Sequence, residues 1–296
     1  MVTNPVNIHK GSTHFQRISA DYGLQHPMSV FGTTYYVDSV NGANSNTGKA
    51  PNDAVATLAQ AISDSSANDM IVIAPGHSET ITTAMSPKAG ITIIGLGQGT
   101  TRPQFTGNLT GDVFNLSNAN VSISGLYFNE ASAAITSQIN VGAAGCRIAY
   151  CHFDCGANDV ESITIEAAGD ELEIANNVFR VTANGPDAAI EIESASVNLL
   201  SVHGNLFDGG SDTNDWDNGG IYSAVAHTNC SIKGNEFLYG PAIIFTTTAT
   251  GNISYNIMGE GTLASMLDPG SCMAFENYEA DAVDESGKLV PTAVAT

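Results

Sequence analysis

One nine-residue phrase recurs along this chain, and it restricts the fold more than any other feature. Residues 172–180 read LEIANNVFR, residues 200–208 read LSVHGNLFD, and residues 230–238 read CSIKGNEFL. The shared Asn falls at Asn177, Asn205 and Asn235, and GNISYNIMG and CMAFENYEA continue the series at Asn256 and Asn277. The intervals are 28, 30, 21 and 21 residues. Towards the N-terminus the phrase degrades but persists, with Cys151, Leu126 and Leu96 in the Asn slot. A repeat of this length belongs to a solenoid, a propeller or an array.

Each unit opens on an alternating stretch such as Leu172-x-Ile174 or Leu200-x-Val202, a period of two with one buried face. A large apolar residue follows the Asn slot by two: Phe128, Phe153, Phe179, Phe207, Phe237 and Met258. Most units then add a further strand, as in SITIEAA and AAIEIES, with Gly, Asn, Asp and Ser between strands as turn residues. A propeller blade would need longer, more regular units of four strands. The pattern therefore predicts an all-β solenoid in which stacked turns bury what one turn cannot. Equivalent residues then lie about 4.8 Å apart along the axis. Asn177, Asn205, Asn235, Asn256 and Asn277 are expected to form a hydrogen-bonded ladder, each in the left-handed conformation of a sharp corner. Phe179, Phe207 and Phe237 are expected to stack inside.

The chain carries 9 Lys and Arg against 30 Asp and Glu, a formal charge of −21. That balance lacks the basic footprint of nucleic-acid binding and is repelled by an anionic membrane surface. No stretch reaches the ~20 apolar residues of a membrane span, and the N-terminus lacks the apolar core of a signal peptide. The five Cys do not form a disulfide framework, and the C-x4-C-x3-C spacing of Cys146, Cys151 and Cys155 is unlike a zinc site. Buried free thiols are expected.

Ahead of the coils, APNDAVATLAQAISDSS places Val55, Leu58, Ala59 and Ile62 on one helical face, predicting a helix at about 53–65 capped by Asn52 or Asp53. Such a helix covers the open end of the solenoid, whose unpaired strand edges would otherwise invite association. The run YYVDSVNGANSNTGKAPNDAVATLAQAI, followed by DMIVIAPGHSETI, resembles the opening of right-handed parallel β-helix proteins of the pectin-lyase-like superfamily. The resemblance covers residues 35–81, and the coil repeats extend it to about residue 280. It implies an all-β, right-handed parallel β-helix over residues 34–280, with an N-terminal arm (1–33) and a C-terminal tail (281–296). The variant PGHSETI, with GITIIGLGQGTTRPQF after it, is similar to virion proteins of tailed bacteriophages, where the β-helix is a structural or decoration component. His77, where many relatives carry Tyr, reads as a turn residue at a coil corner.

The chemistry of related enzymes is fragmentary here. Arg17, Arg102, Arg147 and Arg180 do not fall in the R-x-P-x-x-R pattern of pectate lyases, and VHGN around His203 is only a piece of the polygalacturonase set. Two acidic groups remain. Aligning SITIEA with AAIEIES sets Thr164 beside Glu191 and Glu166 beside Glu193 on neighbouring coils. Glu166, Glu191 and Glu193 could then serve a retaining glycosidase, or form a solvated or interface face. Around the only Trp, Trp216, lie Asp208, Asp212, Asp215 and Asp217. Asp212, Asp215 and Asp217 have calcium-ligand character but not the order of an EF-hand. Trp216 is a candidate for sugar stacking or an interface, or simply packs on the coil.

The functional expectation is a non-enzymatic virion protein, a capsid decoration or cement protein without a cofactor, Ca2+ being the alternative. Its N-terminal arm holds His9, His14, His26, Lys10 and Arg17 against one acid, Asp21, and is expected to dock on the major capsid protein or another virion protein. His9, Lys10, His14 and Arg17 are its contact candidates. The uncharged run from Pro241 to Met258 suggests an oligomer, and the resemblance suggests a trimer. A tailspike-type polysaccharide hydrolase or lyase, or a non-catalytic carbohydrate-binding β-helix, are the alternative readings.

Overall fold

The computed structural model describes residues 32–131, 134–156, 161–183, 186–195, 197–210, 215–259, 266–279 and 288–289. Residues 1–31 of the N-terminal arm, including His9, Lys10, His14 and Arg17, lie outside the described residues, as does almost all of the tail. Residues 32–296 group as one compact unit.

Among the described residues three sheets stack along this unit, the third only from Phe114–Leu116 onwards, and every pairing within them is parallel except the last. Sheet A holds ten strands, from Thr34–Val37 through Glu173–Ala175 to Met273–Phe275. Sheet B holds ten, among them Val178–Val181 and Leu206–Asp208, and sheet C holds seven, among them Glu161–Ile165 and Ala188–Ile192. Successive strands of the chain step from one sheet to the next, so each sheet adds one strand per coil. That is the parallel β-helix.

The interior is built of columns. Ile123, Ile148, Ile174, Val202, Ile232 and Ile253 pair in register down sheet A. Phe128, Phe153, Phe179, Phe207 and Phe237 do so down sheet B, with ring centroids 4.9, 4.9, 4.9 and 4.5 Å apart. Their planes lie within 12° of parallel, because coil spacing leaves each ring one neighbour above and one below.

The Asn ladder forms as expected in its bonds and differently in its backbone. Asn177 donates through Nδ2 to Asn205 Oδ1 at 3.0 Å, Asn205 to Asn235 at 3.0 Å, Asn235 to Asn256 at 3.0 Å, and Asn256 to Asn277 at 2.9 Å. Each Oδ1 also accepts the backbone N–H of the preceding rung's Asn, and each Nδ2 reaches a sheet A carbonyl such as Ile174 O. The left-handed residue is not the ladder Asn but the one before it: Asn176, Gly204, Gly234, Tyr255 and Glu276. The ladder amide must point inward to satisfy buried backbone groups, so the kink falls on its outward-facing neighbour.

The capping helix, α1, is shorter than the periodicity suggested: Leu58–Asp64, with a separate 3-10 turn at Pro51–Asp53. Thr57, rather than Asn52 or Asp53, is the N-cap, accepting from Gln60 N at 3.3 Å. Val55 cannot join the helix because it is extended, donating to Tyr36 O and bridging Val37 in sheet A. The buried face is Leu58, Ala61 and Ile62, while Ala59 points outward. His77 is buried at this end. It accepts the Ser39 N–H on Nδ1 at 3.1 Å, so Nε2 carries the proton to Glu79 at 3.2 Å. Glu79 in turn accepts the Leu58 N–H at 2.8 Å, so His77 ties the first loop to the helix.

Candidate functional site

Side chains on the outer faces of the coils stack as the inner ones do, so groups distant in sequence become rung neighbours. Three polar constellations arise in this way, one per sheet.

On sheet C, Thr164 pairs with Glu191, and Glu193 N bonds Ile165 O at 3.1 Å, which sets Glu193 beside Glu166 as the alignment predicted. Ser194 Oγ donates to Glu166 Oε2 at 3.0 Å. Glu161, at the start of the same strand as Thr164, completes the row and was not singled out in the sequence. Burial, with the charges of Glu191, Asp187 and Glu193, pushes Glu161 up to about 8. Glu161 therefore holds its proton at neutral pH and donates it to Glu191. Burial also raises Glu191, aided by Glu193 and Asp187, and raises Glu193, aided by Glu166 and Asp112. The arrangement pairs one neutral carboxyl with one carboxylate. Its hydrogen bond leaves no room for the sugar carbon that a retaining pair holds across roughly 5–5.5 Å.

On sheet B, the residue after each stacked Phe forms the column Asn129, Asp154, Arg180 and Asp208. Arg180 grips Asp154 with two bonds, Nε to Oδ1 at 3.1 Å and Nη2 to Oδ2 at 2.8 Å. His152 Nε2 lies 3.1 Å from Oδ1, and the Tyr127 hydroxyl donates to Oδ2. Burial opposes ionisation of Asp154, but hydrogen bonds from His152, Arg180 and Tyr127 outweigh it and hold the carboxyl at about 2. Burial and the Asp154 bond push Tyr127 up to about 12. This cluster also escaped the sequence, although aligning the rungs on Phe brings its members into one column. On sheet A, Arg147 Nε donates to Glu173 Oε2 at 2.6 Å, and His203 Nε2 lies 3.0 Å from Oε1. Burial works against the Glu173 charge, but His203 and Arg147 win and lower its pKa.

The remaining candidates separate. Trp216 is 1% exposed, its ring edge-on to Phe207 at 6.3 Å, so it cannot present a face to a sugar or a partner. Of the alternatives the sequence left open, Trp216 takes the one in which it packs on the coil, beside the Phe stack, and not sugar stacking or an interface. Asp212 lies outside the described residues; the Asp215 side chain lies against Gly240, Asp217 N bonds Pro186 O, and Asp208 Oδ1 accepts Gly210 N. Among the described residues no three His, Cys, Asp or Glu side chains gather around a metal-sized space. The five thiols are free and buried. Cys146 points at Asn118 O, Cys151 at Ala149 O and Cys155 at Ser162 Oγ, three different places. Burial drives Cys151 to about 11 and Cys155 to about 12. Among the described residues no helix is long and apolar enough to cross a membrane.

No protein-family model matches the chain, and no curated protein matches it. Among solved structures, a rhamnogalacturonan lyase aligns over 80% of this chain and 84% of its own, at 15% identity and a TM-score of 0.40. The pectate lyase Pel9A aligns over 90% of this chain and 83% of its own, at 12% identity and a TM-score of 0.42. It is the three stacked parallel sheets that make the chain a parallel β-helix.

Proposed function

We propose that the chain is a non-enzymatic structural protein of a virus particle, a capsid decoration or cement protein attached through its N-terminal arm, residues 1–33. The capsid assignment rests on the resemblance of PGHSETI and the segment after it to bacteriophage virion proteins. The observation that carries the non-catalytic part is that most cations with described side chains are already engaged, Lys49 and Arg102 excepted. Arg147 is spent on Glu173, Arg180 on Asp154, Lys88 on the Ser63 and Ser65 carbonyls, and Lys233 lies over the Tyr255 ring. A lyase needs a base free to take a proton and cations free to meet an acidic sugar. Here those cations bind groups on their own or neighbouring coils, which stiffens a rod. The test is purification of native particles from cells making the full chain or a chain lacking residues 1–33. The full chain should remain on capsids through a density gradient and the shortened one should not. A full chain found only in the free fraction defeats the reading.

A second reading has one observation in its favour. Glu166 and Glu193 stand side by side on neighbouring coils, and burial with the Glu166 charge raises Glu193, which suits the acid of a glycan hydrolase beside a second carboxyl. Release of reducing ends from a broad polysaccharide panel, abolished by Glu193→Gln, would replace the structural reading.

A further inference from the structure

The coils at the C-terminal end break a rule the others keep. Along the outside of sheet A, one column reads Ser201, Ser231, Asn252 and then Met273, and the next reads His203, Lys233, Ser254 and then Phe275. Around the corner on sheet B, the column reads Val178, Leu206, Glu236, Ile257 and Tyr278, the first two half-buried and the last two exposed. The corner between them holds Gly234, then Tyr255 in a left-handed conformation, then Glu276. On sheet A polar positions thus become apolar within two coils, and on sheet B apolar ones become exposed. Tyr255, Ile257, Met273, Phe275 and Tyr278 are 41% to 65% exposed, and Tyr255 and Phe275 meet edge to face at 6.0 Å. An apolar cluster of this kind, on a chain of charge −21, marks a contact surface. It overlaps the uncharged Pro241–Met258 run only at Tyr255 and Ile257; elsewhere that run turns Thr246, Thr248 and Asn252 to solvent.

We propose that this edge joins copies of the same chain side by side, related by a rotation axis parallel to the solenoid. The charges on the rim select this occupant. A rotation about such an axis keeps every rung level, so the sheet A column of one copy faces the sheet B column of the next. On one rung that sets exposed Lys233 against exposed Glu236 of the neighbour. Two rungs on it sets Phe275 against Tyr278, with Tyr255 at the corner between copies. Lys233 meets Glu236 and ring meets ring without any partner of different sequence, against one like charge that the corner also exposes, Glu276. A capsid or glycan partner would explain the apolar residues but not why the rim is complementary to itself.

The association is a property of the purified chain in solution, so it stands or falls apart from the virion reading. Sedimentation equilibrium of the full chain at about 0.15 M salt, where the net charge is screened beyond ~8 Å, should give a mass that is a whole multiple, two or more, of 30.6 kDa. The double variant Phe275→Ser/Tyr278→Ser should sediment as monomer with an unchanged far-ultraviolet spectrum. Lys233→Glu should weaken association at least about tenfold, a change of ~1.4 kcal/mol, and Lys233→Glu/Glu236→Lys should restore it. A monomeric wild type at 100 µM and above overturns the proposal, as does an oligomer indifferent to all three variants. Charge reversal without rescue overturns the rotation-related pairing.

Discussion

At the scale of single residues, Glu161 is the group most out of keeping with its surroundings. Burial and the charges of Glu191, Asp187 and Glu193 hold its pKa near 8, far above an unfolded glutamate. The sign follows from linkage. Below about pH 4.5 the proton is bound in both states and nothing is lost. As pH rises from there towards 8 the unfolded chain ionises while the folded chain does not, so stability declines, and the loss is complete near the folded value. Gln keeps the neutral donor to Glu191 and removes the titration. Glu161→Gln should therefore match wild type at pH 4 and exceed it at pH 8–9, by ~1–2 kcal/mol after solvent screening. Urea titrations at the two pH values measure this; a gap of the same size at both would show that the carboxyl is not the cause. Asp154 has the opposite sign, since its depressed pKa contributes stability at neutral pH that fades only as pH falls towards 2.

At the scale of elements, the Asn ladder is what fastens sheet A to sheet B in the coils from Asn177 to Asn277. Asn205 accepts the backbone N–H and amide of Asn177, and donates to Ile174 O, His203 O and Asn235. All five ladder Asn residues are buried, and water cannot replace what Ala would remove. Asn205→Ala should cost ~3 kcal/mol, the penalty for stranding two or so buried polar groups. Equilibrium unfolding in urea reads it directly, and a loss under ~0.5 kcal/mol would mean the ladder is ornamental. The ladder bonds and Phe column were legible in the sequence because they repeat. The left-handed position was not, because Asn176, Gly204, Gly234, Tyr255 and Glu276 share no side-chain chemistry, only a backbone conformation. The start of α1 was hidden for a different reason: Val55 fits a helical face but is claimed by sheet A through Tyr36 O, and a long-range strand pairing overrides a local pattern.

At the scale of the whole molecule, acid dominates. Thirty acidic residues face nine basic ones, and the described pairs such as Arg147–Glu173 and Arg180–Asp154 neutralise only a few. Self-repulsion among the rest outweighs what those bridges add, since exposed bridges are worth ~0–1 kcal/mol each. Raising NaCl from 0.02 to 0.5 M, which shortens the screening length well below 10 Å, should raise the melting temperature by a few degrees. A fall would show that the ion pairs, not the net charge, set the balance. The same repulsion would hold copies apart, so apolar side chains gathered at one edge matter more here than on a neutral surface.

The sequence by itself determined the scaffold. A period of two inside a period of 21–30 residues admits one way of burying Ile and Phe, which is stacking. It also set Glu166 beside Glu193, because neighbouring coils align on the same repeat. Only the tertiary structure decided which non-repeating residues meet. Glu161 finds Glu191, Asp154 finds Arg180, Tyr127 and His152, and Trp216 turns inward onto Phe207 instead of outward. Repetition fixes where a rung lies; the direction a loop side chain takes depends on the space its neighbours leave, and that space exists only after the coils have stacked.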